Sequence, residues 1–224
     1  MRFFRAIAVS AAGAALLCLA GCTSSVEPNP SSTSTALMPS TTPASPMPIA
    51  PESPPAGYTM VTAAANKIQL PLPSDLQVLD PSQIDINPDS QQTFDAMAQK
   101  LGMTSDDLRQ QLSTLDLYAM DASSNNINIL QPLPAVGTTL ADVQPTLESI
   151  GATGIDSGST TCPAGPVLVV TYTLTDNDMT MNQTQLYVQS DTMTTTVITI
   201  TGVTWTTDEV AQIATDMLAG LQHI

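Results

Sequence analysis

"PVLVVTYTLTDNDMTMNQTQLYVQSDTMTTTVITIT" fills residues 166–201 and holds no lysine or arginine. Its first part, 166–175, is nearly continuous apolar and β-branched, the pattern of a strand buried on both faces. In 183–190, Leu186 and Val188 alternate with Gln185, Tyr187 and Gln189, the two-residue period of a strand with one face in a core. The run 192–201 is β-branched at every position but Met193. The separators "DNDM" and "SDT" are short and turn-forming, so three antiparallel strands in a meander are expected. Tyr187 falls on the polar side of its strand and is therefore the candidate for an exposed contact.

A helix follows. Thr206 and Glu209 have capping-box spacing, in which hydroxyl and carboxylate each satisfy the other residue's free amide. Val210, Ile213, Ala214, Met217, Leu218 and Leu221 then mark one helical stripe. Upstream, Phe94, Met97, Ala98 and Leu101 predict a helix over 88–102, with Ser90 as its cap and Gly102 as its stop. A second helix is expected over 104–114, capped by Thr104. Residues 116–121 and 127–131 read as a hairpin. Leu140, Val143, Leu147 and Ile150 mark a helix over 138–151 that Pro145 should shorten or kink. A short strand from Ile68 should stop at Pro71 and Pro73. The class is α+β: an antiparallel β-sheet flanked by helices.

The chain begins differently. Arg2 and Arg5 precede an apolar core over 6–19, the plan of an export signal too short to span a bilayer. Leu19-Ala20-Gly21-Cys22 resembles a bacterial lipobox, which implies cleavage between Gly21 and Cys22 and lipidation of Cys22. The expected organisation is a signal peptide over 1–21, the lipidated Cys22 with a Ser/Thr/Pro-rich spacer over 22–57, and one globular α+β domain over 58–224. Two or more acyl chains anchor stably where one does not. The expected address is therefore the outer face of the cytoplasmic membrane. The spacer's only charges are Glu27 and Glu52, and its prolines favour extended chain.

The formal net charge is −15, and loss of the two signal arginines leaves three bases (Lys67, Lys100, Arg109) against twenty acids. Nucleic acid is a poor partner for such a surface. With Cys18 in the signal and Cys22 lipidated, Cys162 is alone and no intramolecular disulfide is available.

Taken together, the lipobox, the spacer, "IQLPLPSDLQVLD", the helical pair before "LYAMD", "NNINIL" and the terminal meander with its helix resemble actinobacterial (mycobacterial-type) lipoproteins of the LpqN/LpqT group. That resemblance implies a Mog1/PsbP-like α/β/α sandwich. It also implies a non-catalytic envelope protein that acts through partners, and it supplies no catalytic residues.

The remaining residues point the same way. His223, the only histidine, sits one residue from the end, where a catalytic imidazole would not be held. Cys162 in "STTCPAGP" and Ser157 in "GIDSGS" read as loop residues; Ser157 lacks the G-x-S-x-G frame. Asp85, Asn87 and Asp89 resemble the start of a calcium loop, but Ser90 stands where glycine is required and Ala96 where a bidentate glutamate is required. Asp176 and Asp178 fit a hairpin turn. No catalytic residue, metal site or cofactor is expected. The expected partners are the membrane, through the lipid, and an envelope protein or wall component. The alternative is a carrier of an acylated lipid in an apolar cavity between sheet and helices, lined by methionines such as Met97, Met120, Met181 and Met217.

Overall fold

The computed structural model describes residues 53–134, 139–176, 179–189 and 194–224. Gly21, Cys22 and Asp178 lie outside the described residues. Strands β1 (Tyr58–Ala63), β2 (Ile68–Pro73) and β3 (Gln77–Leu79) open the chain, followed by helices α1 (Pro88–Leu101) and α2 (Ser105–Leu112). Strands β4 (Leu115–Met120), β5 (Asn126–Leu130) and the short β6 (Leu133–Pro134) lead to helix α3 (Leu140–Ser149). Strands β7 (Thr153–Cys162), β8 (Gly165–Asp176), β9 (Met179–Gln189) and β10 (Thr194–Gly202) precede helix α4 (Thr207–Gly220) and the final strand β11 (Gln222–His223).

The large sheet runs β3-β4-β5-β10-β9-β8-β7, with β6 paired to β10, and every pairing is antiparallel. The meander β8–β9–β10 lies within it. A small sheet, β1-β2-β11, packs with α4 on one face; α1, α2 and α3 cover the other. This is the α+β class expected, antiparallel sheet flanked by helices, in the helix–sheet–helix layering that the resemblance implies.

Alternation along the strands feeds two cores. Leu117, Ala119, Ile127, Ile129, Leu186, Ile198 and Ile200 meet β2 and the stripe Val210, Ile213, Ala214, Met217 of α4. Tyr118, Met120, Leu130, Val170, Tyr172 and Tyr187 meet Phe94, Met97, Leu108, Val143 and Leu147. Each large side chain removed from water in this way contributes about 2 kcal/mol. Helix α4 approaches the small sheet closely, since a Cβ on Gly220 would meet the Pro71 ring at 3.0 Å.

Several expectations need correcting. The cap of α1 is Asn87, whose side chain accepts from the Asp89 amide at 2.9 Å, with Pro88 in the first turn, rather than Ser90. Pro71 lies inside β2 rather than ending it, and the strand stops at Pro73. They share one parity, opposite Met60 and Tyr58, and β11 pairs only with Ile68 and Gln69 on the far side. Their missing amides therefore face an edge that needs none. Helix α3 starts at Leu140, later than 138 as the presence of Pro145 led one to expect, and runs through that proline. Strand β8 alternates buried with half-buried residues instead of being buried on both faces. The stretch holding Ser157 and Cys162, expected as loop, is the ten-residue strand β7.

Candidate binding surface

An open groove of about 510 Å³ lies between α4 and the β7–β9 edge of the large sheet. Helix α4 contributes Ala211, Thr215, Leu218 and Ala219; the sheet contributes Thr160, Thr161, Cys162, Val169, Thr171 and Thr184. Small residues on α4 leave room beside the sheet, and strand pairing sets Thr160, Thr171 and Thr184 on the sheet face beneath the groove. Cys162 ends β7, and the turn beyond it is closed by Gly165 (φ +135°), where a side chain would collide with the Gln189 carbonyl oxygen. The thiol is half-buried. Burial pushes its pKa up and outweighs the lowering by hydrogen bonds with the backbone of Ala164 and Gly165. The groove thus offers hydroxyls, methyl groups and a protonated thiol.

A second depression, about 270 Å³, lies over Asp116 and Arg109. The Asp116 carboxylate accepts from the backbone amides of Ala65 (3.0 Å) and Asn66 (2.9 Å) and from the Asn66 side chain (2.8 Å). The Asn66 amide also donates to the Leu130 carbonyl at 2.7 Å, and its oxygen accepts from Thr196 at 2.8 Å. Both carboxylate oxygens are therefore committed to holding the β1–β2 turn on the large sheet. Arg109 pairs with Asp85 (3.1 Å) and Asp106 (3.3 Å) and lies over the Phe94 ring. Asn125 is another joint: its side-chain oxygen accepts from the amides of Val203, Thr204 and Trp205, tying the β4–β5 hairpin to the start of α4.

The face of β5–β10–β9 under α1, α2 and α3 carries a buried polar block. Thr199 stands opposite Asn128 and Gln185, and Thr201 opposite Asn126 and Gln183. Tyr172 donates to Gln183 at 2.8 Å and Tyr187 to Gln185 at 2.5 Å. Asn128 Oδ1, Gln183 Nε2 and Thr201 Oγ1 have no partner among the described residues. Burial pushes the pKa of Tyr118, Tyr172 and Tyr187 up, helped at Tyr172 by the nearby Tyr187. Tyr58 is raised as well, by desolvation first and then by its hydrogen bond to Asp216.

Tyr187 is therefore not an exposed contact: it is 1% exposed, because helices cover the polar side of β9 as the small sheet and α4 cover the other side. Residues 222–223 are held as well. β11 pairs with β2, and the His223 ring makes a 3.0 Å hydrogen bond with the Ala164 carbonyl. Asp85 is paired with Arg109 and Asn87 caps α1, so the calcium-like trio serves two local purposes. Among the described residues, no group of three or more His, Cys, Asp or Glu side chains is placed to hold a metal. Met97, Met120, Met181 and Met217 are all packed in the two cores. Sequence reasoning missed Asn66, Asp116, Asn125 and the edge strand β7.

No protein-family model matches the chain, and no curated protein matches its sequence. The chain is similar to solved structures that include the crystal structure of the Saccharomyces cerevisiae Ran-binding protein Mog1p. That similarity has 15% identity and a TM-score of 0.38, over 73% of this chain and 85% of that one. At this level the likeness is one of outline and says nothing of what this chain binds.

Proposed function

We propose that this chain is a lipid-anchored envelope protein of the LpqN/LpqT type whose acidic domain is a non-catalytic binding module for an envelope protein or wall component. The observation that carries the binding role is the open groove between α4 and β7–β9, whose hydroxyl and methyl lining offers contact area. The anchor rests on the Leu19-Ala20-Gly21-Cys22 sequence. Its test is Cys22→Ser: the variant is expected to leave the membrane fraction for the soluble one, and retention with membranes equal to the parent's would overturn the tether.

The carrier reading draws support from the same groove, which lies between sheet and helix and has a volume within the usual range for small-molecule sites, about 300–1,000 Å³. Native mass spectrometry of detergent-extracted protein separates the two readings. A retained acyl lipid in addition to the anchor favours the carrier, and its absence favours the binding module.

A further inference from the structure

We infer that the outer edge of β7 accepts an extended, basic segment of another protein as an added strand. The inference rests on the binding-module reading and names the kind of partner. β7 is the end strand of the large sheet among the described residues. It pairs with β8 along its length, yet nearly all its residues are exposed. A long edge strand is an open row of amides and carbonyls, which proteins guard with lysine, proline, bulges or shortness. The opposite end strand, β3, has only three residues. In β7 the register shift and the single charge, Asp156, both fall in its first half. Residues 157–161, "SGSTT", hold regular register with 166–170 and carry no lysine, proline or bulge; the Ser157 amide is taken by the Asp156 carboxylate at 2.8 Å, so the open edge runs over 158–161. They also adjoin the groove, because Thr160 and Thr161 line it. A strand laid along 158–161 would extend by about 3.3 Å per residue. Its side chains on the α4 side would lie beside the groove that Ala211, Thr215 and Leu218 of α4 line. Main-chain bonds would supply affinity and the groove selectivity.

Charge selects the occupant. From residue 110 to 224 the sequence has no lysine or arginine, yet this half builds β7, β8, β9 and α4 and carries Asp142, Glu148, Asp156, Asp208, Glu209 and Asp216. A second copy of the chain would bring like charge to the same edge. A segment carrying lysine or arginine at alternate positions meets complementary potential.

The test uses the full-length chain in detergent and a capped ten-residue peptide of alternating Lys and Val, with a Glu–Val peptide as control. The Lys–Val peptide is expected to bind at least tenfold more tightly than the control. Amides within 158–161 should gain protection from hydrogen exchange. Gly158→Pro and Ser159→Pro place the missing amide on opposite sides of β7. Whichever keeps the parent's unfolding temperature should weaken binding at least tenfold. The inference fails if the peptide does not bind, if it binds without protecting 158–161, or if light scattering shows a dimer protecting those amides without peptide. Protection confined to α4 would leave a binding module standing and remove strand addition. The membrane tether is tested separately by Cys22→Ser.

Discussion

At Asp116 a single carboxylate holds two sheets together. Its three donors come from Ala65 and Asn66, fifty residues earlier in the chain. A charged acceptor with several donors is worth more than a neutral pair, and its removal leaves those donors unpaired in the interior. Asp116→Ala is therefore expected to cost about 3 kcal/mol in urea unfolding. A loss below about 1 kcal/mol would mean the turn is held mainly by its apolar neighbours. Nothing in the sequence marks this residue, because an aspartate at the start of a strand reads as an ordinary exposed end. Tyr187 shows the same limit from the other side. Alternation tells which side of a strand a residue faces, whereas water or protein on that side depends on helices distant in sequence.

The elements were legible where local physics decides them. The capping box of α4 forms as spaced: Thr206 accepts the Glu209 amide at 3.2 Å, and the Glu209 carboxylate accepts the Thr206 amide at 2.7 Å. Thr206→Ala should cost about 1 kcal/mol, read from thermal or urea unfolding. The hydrogen bonds with the Thr206 backbone and side chain hold the Glu209 carboxyl below its ordinary pKa. Its contribution is thus present above the unfolded value of about 4.3 and is lost as pH falls through the lower folded value. Glu209→Gln should flatten that part of the acid unfolding curve, and an unchanged curve would remove the role. Strand β7 escaped notice for an equally physical reason. Glycine, serine and threonine have no apolar period to report, and the strand exists because β8 offers it a ladder. Pro71 reads as a strand stop by intrinsic preference, which tertiary context overrides in β2.

Taken whole, the molecule keeps its tyrosines neutral. The chain has four, and each has its pKa pushed up, chiefly by burial. An acid whose folded pKa is raised adds stability that is complete below the unfolded value, about pH 10, and is lost as pH rises above it. Alkaline titration is expected to show little tyrosinate absorbance until the protein unfolds, then a cooperative rise. A gradual rise near pH 10 while circular dichroism stays native would contradict the burial of these rings. The class, the meander and the α4 helix could be read from apolar periodicity, and the layered arrangement was implied by the family resemblance. The joints at Asp116 and Asn125 and the open edge could not, since each depends on partners from separate parts of the chain.

The pairing of β11 with β2 joins residues 222–223 to 68–69. A nascent chain cannot complete this small sheet until residues 222–223 have been made, so β2 must wait for a strand far downstream before its second edge is paired.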